Sequence, residues 1–223
     1  MLASQTVENY LKAIYVAQAG HEEHDGLVPM GQIASALGVV PGTATTMVKT
    51  LAESGLVRYE PYMGVRLTPA GERLAALVLR RHRLIEQFLV QVLGMNWSEV
   101  HEEAERLEHA VSERLIERID EMLGRPAVDP HGDPIPGPEG EISRQRYPDL
   151  LTAPLGCDLV VTRVTAQDAE FLRFIEQREL KPGQRVEIET RDPASDSVTV
   201  RSETGQITTI GTRAASKVLV NIP

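Results

Sequence analysis

The chain has 223 residues and a formal net charge of −9, long enough for one large domain or two to three small ones. Its 42% hydrophobic and 25% charged residues are ordinary for a soluble globular protein, and no apolar run reaches the roughly 18 residues of a membrane span, so no membrane partner is expected. The single cysteine, Cys157, excludes an internal disulfide framework and reads as a packing residue; with no basic-then-apolar leader in the sequence, a cytoplasmic location is expected.

Residues 4–18, SQTVENYLKAIYVAQ, place Val7, Leu11, Ile14 and Tyr15 at helical spacing. The segment 20–26 breaks that pattern and reads as a loop, and its His21 and His24 read as exposed loop residues. Next, PMGQIASALGV predicts a short helix closed by Gly38, and PGTATTMVKTLAESGLV a second one ending at Gly55. Ile33, Ala34 and Leu37 of the first are set to face Met47, Val48 and Leu51 of the second. The following VRYEPYMGVRLTPAGERL reads as a hairpin with Gly64 at its tip and Arg58 and Arg66 on its strands. Two helices, a tight turn and a hairpin describe a winged helix-turn-helix. Its second helix would present Pro41, Gly42, Thr43, Thr45, Thr46 and Lys49 to DNA, where small hydroxyls approach bases and phosphates closely. The overall negative charge means that any such contact rests on this local surface.

Thr68 is an N-cap ahead of Pro69, and the helix it starts runs through Leu74, Leu77, Val78, Ile85, Phe88 and Leu89. It carries His82 and Glu86 at i, i+4. After a turn at Gly94-Met95-Asn96, with Ser98 as N-cap, a second helix carries His101, Glu105, Glu108 and His109 within an arc of about 100°. Taken singly, each of these is a solvated helix residue. Together, three imidazoles and three carboxylates on two neighbouring helices suit a divalent ion of the manganese or iron type, the set having no thiol. Residues 99–125, with nine Asp/Glu against four Lys/Arg, would be relieved by bound cations.

Ala110 to Leu123 adds an amphipathic helix with Val111, Leu115, Ile116, Ile119 and Leu123, a surplus of apolar residues that suggests a symmetric dimer. The Pro- and Gly-dense GRPAVDPHGDPIPGP, residues 124–138, ends the helical part as a structured turn or linker. From Leu155 the runs LVVTRV, RVEIET, SVTVRS, QITTIG and KVLVNI are short and β-branched, with one helix, AEFLRFIEQREL, between the first two. They describe a small SH3-like barrel. The expected fold is therefore mainly α with α+β parts: a winged helix-turn-helix over 1–70, a helical metal-binding and dimerisation domain over 71–141, a linker over 142–154 and the barrel over 155–223.

ENYLKAIY, QIASALGV–TATTMVKTL–GLV, RHRLIEQFL, VHEEAERLEH and DPHGDPIPG together resemble the DtxR/MntR family over essentially the full length. These are the metal-dependent regulators typified by the diphtheria toxin repressor and the manganese transport regulator, and the tail is similar to their SH3-like (FeoA-type) domain. The resemblance implies two metal positions. One uses Glu105, Glu108 and His109 with Asn9 of the first helix. The other uses His82, Glu86 and His101, completed in some members from the SH3-like domain, for which Asp168 and Glu170 are the candidates here and Asp168 the preferred one. Iron-type members carry cysteine where this chain has Glu105, so the resemblance favours manganese over iron, with zinc or cadmium as substitutes in vitro. Asn9 departs from the usual Asp or Met, and Lys12 stands where some manganese members place a second carboxylate.

The function expected is a repressor-type transcription regulator: a homodimer that binds double-stranded promoter DNA of metal transport genes when loaded with metal, with no small-molecule substrate. An iron-dependent regulator of the same family is the nearest alternative. A helical di-metal enzyme is the rival from another class, but the Glu-x-x-His pairs such sites use are missing, because Leu79, Ser98 and Arg106 stand three before the histidines. No enzymatic activity is expected. A metal store with an incidental helix-turn-helix is the third reading.

Overall fold

The computed structural model describes residues 4–18, 26–143 and 145–223; His21 and His24 lie outside them. The chain forms two compact units, 1–82 with 136–142 and 83–135 with 143–223.

In the first unit, helices α1 (Gln5–Gln18), α2 (Met30–Ala36) and α3 (Pro41–Glu53) precede strands β1 (Val57–Glu60) and β2 (Gly64–Leu67) and the first half of α4 (Pro69–Gln91). Their apolar stripes meet in one core: Leu11 and Ile14 of α1, Ile33 and Ala34 of α2, Ala44, Val48 and Leu51 of α3, and Val57, Val65 and Leu67 of the hairpin. Gly38, at φ +63°, provides the left-handed turn that ends α2. The expected winged helix-turn-helix is present, with two refinements. Pro41 and Gly42 are the first residues of α3 rather than a turn before it. Gly64 is not the hairpin tip, which is Tyr62 (φ +67°) and Met63. It opens β2 opposite Glu60, where a Cβ would collide with the carbonyl oxygen of Val28, because Val28 pairs with Val65 through N–O contacts of 2.8 and 2.9 Å.

Thr68 caps α4 as expected: its hydroxyl accepts from Gly71 N–H at 3.2 Å and donates to the Gly55 carbonyl at 2.8 Å, tying α4 to the end of α3. Gly71 lies so close to the Leu56 carbonyl that a methyl group there would run into it. Gly→Ala in a helix normally gains about 1 kcal/mol. Here Gly71→Ala should instead cost about 1–3 kcal/mol, read as a lower urea midpoint by circular dichroism.

The second unit holds the rest of α4, α5 (Val100–Leu107), α6 (Glu113–Met122) and an antiparallel five-stranded sheet. Leu84, Ile85, Leu89, Val100, Ala104, Ile116 and Ile119 close the helical core. The sheet, ordered β6-β5-β4-β3-β7, comprises β3 (Asp158–Val164), β4 (Arg185–Asp192), β5 (Ser197–Ser202), β6 (Ile207–Gly211) and β7 (Val218–Asn221). Helix α7 (Ala169–Glu176) crosses between β3 and β4, and a four-residue α8 (Thr212–Ala215) precedes β7. Alternate strand residues, among them Leu159, Val161, Val186, Ile188, Val198 and Val200, point into its core, and half-buried Cys157 packs against them.

Some local expectations change. Ser98 is not the cap of α5. Asn96 Oδ1 accepts from both its N–H and its hydroxyl at 2.8 Å, and Glu99 occupies the cap position. Helix α5 stops at Leu107, which leaves Glu108 as C-cap and His109 in the turn beyond. Ala110 is not in the next helix, which begins at Glu113 because Ser112 Oγ accepts from Leu115 N–H. Residues 149–153, expected in the linker, join the sheet: Leu150 N–H bonds the Val218 carbonyl at 3.1 Å, and Leu150 and Ala153 are buried in its core. Trp97, from the turn before α5, lies in that same core.

Candidate metal centre and nucleic-acid interface

Helix α3 needs its buried face, Ala44, Val48 and Leu51, for packing, and that fixes which residues point outward. Pro41, Gly42, Thr43, Thr46 and Lys49 are exposed and Thr45 is half-buried. Thr45 and Thr46 donate their hydroxyls back to the carbonyls of Pro41 and Gly42, at 2.9 and 3.0 Å. Their oxygens thus face outward as acceptors. On the wing, Arg58 is exposed and sits opposite Arg66, which is half-buried and 3.9 Å from Glu60.

Most of the expected metal ligands gather on α4, α5 and the turn after α5. The division between the units falls within α4, directly after His82, so His82 rides on the same continuous helix as Glu86 one turn later. Both are buried, at 3% and 0% exposure, because this face of α4 packs inward. His101 Nδ1 lies 3.2 Å from Glu86 Oε1, and its Nε2 3.8 Å from Glu105 Oε1. His109 Nε2 is 3.2 Å from Glu108 Oε1.

Among the described residues, donor atoms come within 4.8 Å of one another in three groups: His82–Glu86–His101, His82–Glu105–Glu108 and Glu86–Asp129–His131. Donors sharing an ion at about 2.1 Å lie about 3–4 Å apart, so the first two groups fit a divalent cation with little adjustment. A neutral imidazole has one lone pair, so His82 serves one ion at a time. The Glu105–Glu108 pair then has His109 beside it as a nitrogen source.

One predicted ligand stands apart from these groups. Asp168 is exposed and its Oδ1 accepts from Phe171 N–H at 2.8 Å as the N-cap of α7; it joins none of the three groups. Its position just before a helix was the signal for capping. Asn9 is half-buried on α1 in the first unit, beside the buried ion pair of Glu8 with Arg81 at 2.8 Å.

The sequence reading missed the chemistry of the DPHGDP turn. Asp129, His131 and Asp133 are all buried. Asp129 Oδ1 accepts from the backbone N–H of His131 at 2.8 Å and of Asp133 at 2.9 Å, which winds the turn. Arg83 of α4 reaches in, 3.6 Å from Asp129 Oδ2 and 3.6 Å from Asp133 Oδ1, and donates to the Pro134 carbonyl. Arg163 of β3 pairs with Asp133, and Gln167 donates to it at 2.9 Å. Burial, then the charges of Asp133 and Glu86, push the Asp129 carboxyl up to about 7 against the opposing pull of Arg83 and His131. Burial works against protonation of His131, but Glu86 and Asp129 outweigh it and lift its pKa.

The chain matches three known domains in succession: the iron-dependent repressor N-terminal DNA-binding domain over residues 2–65, the iron-dependent repressor metal-binding and dimerisation domain over 68–137, and the FeoA domain over 149–222. It is 31% identical over 208 residues to the iron-dependent repressor IdeR of Mycobacterium leprae (strain TN), covering 87% of this chain and 88% of that protein. The chain belongs to the DtxR/MntR family of metal-dependent regulators. As such it is a metal-dependent transcriptional repressor and not an enzyme. Family members named for both metals are similar to it. HTH-type transcriptional regulator MntR of Lysinibacillus sphaericus (strain C3-41) is 34% identical over 122 residues, covering 55% of this chain and 84% of that protein. A manganese-dependent transcriptional repressor in complex with manganese superposes with a TM-score of 0.86 at 37% identity, covering 96% of this chain and 99% of that one.

Proposed function

We propose that this repressor is manganese-responsive and acts as a cytoplasmic homodimer on promoters of metal transport genes. The observation that carries the metal choice is the donor set: imidazole nitrogens and carboxylates from His82, Glu86, His101, Glu105, Glu108 and His109, with glutamate at 105 where iron-type members place a thiol. Hard oxygen donors with imidazole suit manganese, whereas a thiolate favours softer ions. When bound, the ion supplies positive charge that holds mutually repelling carboxylates together. The rest is work for the chain itself. Asn9 offers an amide oxygen from α1, as the family's first-helix ligand, and so links the DNA-binding unit to the metal state. Being uncharged, it contributes less to affinity than an aspartate would.

Apolar residues left exposed on α6, Leu115 at 50% and Met122 at 65%, lie two turns apart on one face and support a partner helix from a second copy. Two heads at fixed spacing can enter successive major grooves, with Thr43, Thr46 and Lys49 at base edges and phosphates and Arg58 on the backbone. A bias of about 3 kcal/mol toward that geometry changes its population ratio more than a hundredfold.

Fluorescence anisotropy with the protein's own upstream promoter DNA tests this. Manganese, anaerobic ferrous iron and zinc are titrated beside a chelated control and scrambled DNA. Tight, promoter-specific binding at the lowest concentration of manganese is expected. Greater potency of ferrous iron would reassign the metal, and binding that ignores metal would remove the Asn9 link.

A further inference from the structure

We infer that Glu86, Asp129 and His131 form a third, buried site for a divalent cation of the manganese class, sharing Glu86 with the His82–Glu86–His101 group. It rests on the metal-binding reading only through that shared carboxylate.

The argument begins with the His131 tautomer. Its ring is fully buried, and Nε2 lies 2.9 Å from the Trp97 carbonyl oxygen. A carbonyl only accepts, so Nε2 carries the hydrogen, and in a neutral ring Nδ1 is left with its lone pair. Nδ1 makes no hydrogen bond. Its near polar neighbours are electron-pair donors too: Glu86 Oε2 at 3.7 Å and Asp129 Oδ1 at 4.0 Å.

Asp129 Oδ1 already accepts two backbone N–H groups, but Glu86 Oε2 and His131 Nδ1 turn electron pairs toward one another in a dry interior, with the Asp129 carboxylate beside them, and repel unless a cation joins them. The choice lies between a proton on Nδ1 and a metal ion. A proton shared between imidazolium and carboxylate draws the two atoms to about 2.7–2.9 Å, roughly an ångström closer than they stand. An ion with bonds of about 2.1 Å holds its donors about 3–4 Å apart, which matches. The histidine also has the support a ligand needs, since metal-bound imidazoles usually donate their other N–H to a carbonyl or carboxylate.

Charge agrees with this. Glu86, Asp129 and Asp133 bring three carboxylates, and Arg83 and Arg163 bring two guanidiniums, with Arg83 no closer than 3.6 Å to either aspartate. One negative charge remains. Glu86 can serve both sites at once, because Oε1 is the oxygen near His101 and Oε2 the one near His131.

The test uses the full-length protein crystallised with manganese chloride, and anomalous difference maps collected at the manganese edge. A peak is expected between Glu86 Oε2, Asp129 and His131 Nδ1, besides one at His82–Glu86–His101. An outer peak alone would overturn the third site and leave a proton in its place. Absence of both peaks would instead count against the metal reading of the whole centre.

In parallel, manganese per chain is measured by mass spectrometry after desalting. His131→Gln keeps a donor for Trp97 and removes Nδ1, and should lose one equivalent while His101→Ala loses a different one. A folded His131→Gln that retains the wild-type manganese content would also overturn the proposal. If that variant does not fold, the wild-type anomalous map decides.

Discussion

Replacing His82 by alanine should weaken metal-activated promoter binding about a hundredfold or more, a larger loss than any other single ligand substitution outside the shared Glu86. His82 belongs to two of the donor groups, His82–Glu86–His101 and His82–Glu105–Glu108. The second group has His109 beside it, 3.2 Å from Glu108, as a substitute nitrogen. The first has only His101, which is 36% exposed at its side chain and holds its position less firmly. Removing the buried imidazole therefore leaves its own ion a single nitrogen, His101, and removes the alternative nitrogen from the Glu105–Glu108 pair, which keeps His109. Promoter affinity should fall at every manganese concentration below saturation, with the manganese midpoint shifted upward. Circular dichroism should show a folded chain, since a buried imidazole replaced by methyl costs far less than an orphaned charge. Glu105→Gln, which touches one group, should shift the midpoint by a smaller factor. Wild-type anisotropy curves for the His82 variant would remove this histidine from the metal chemistry.

Much of this site was legible because helical periodicity puts i, i+4 residues on one face whatever the rest of the chain does. His82 with Glu86, and His101 with Glu105, follow from spacing alone. The β-branched runs similarly gave the sheet, since alternation survives in β3, β4 and β5 with little interference from tertiary context. Illegible features depended on contacts remote in sequence. Nothing around Glu86 announces that its second oxygen faces His131, forty-five positions later. Nothing local to Arg80-Arg81-His82-Arg83 shows that Arg81 and Arg83 are buried, each against a carboxylate brought from elsewhere. Helix ends failed for a local reason. Ser98 has the right chemistry for a cap, but Asn96 engages its hydroxyl first. Asp168 shows the opposite case. The resemblance makes it a ligand, while a carboxylate ahead of Ala169 also has an ordinary partner in the N–H of Phe171, which is the role it has here.

Arg83→Met should destabilise the second unit by about 3–5 kcal/mol, the usual cost of breaking a buried ionic network from one side. Methionine restores most of the volume, so the loss is electrostatic and not a cavity. Arg83 is the guanidinium next to Asp129 and Asp133, and it also donates to the Pro134 carbonyl. Without it, two buried carboxylates and Glu86 face one another with Arg163 alone to offset them. Part of the penalty will be relieved by proton uptake at Asp129, whose carboxyl already sits up at about 7 through burial and the charges of Asp133 and Glu86. The lower end of the range is therefore expected near neutral pH. Urea unfolding of the full chain, followed by tryptophan fluorescence, reads this directly, because Trp97 is buried in that unit and its carbonyl holds His131. A companion variant separates the cause: adding Asp133→Asn to Arg83→Met removes one of the orphaned charges and should recover a measurable part of the loss. If the double variant is no more stable than the single, lost packing and the Pro134 hydrogen bond account for the effect. The arginine then holds the turn by its shape more than by its charge.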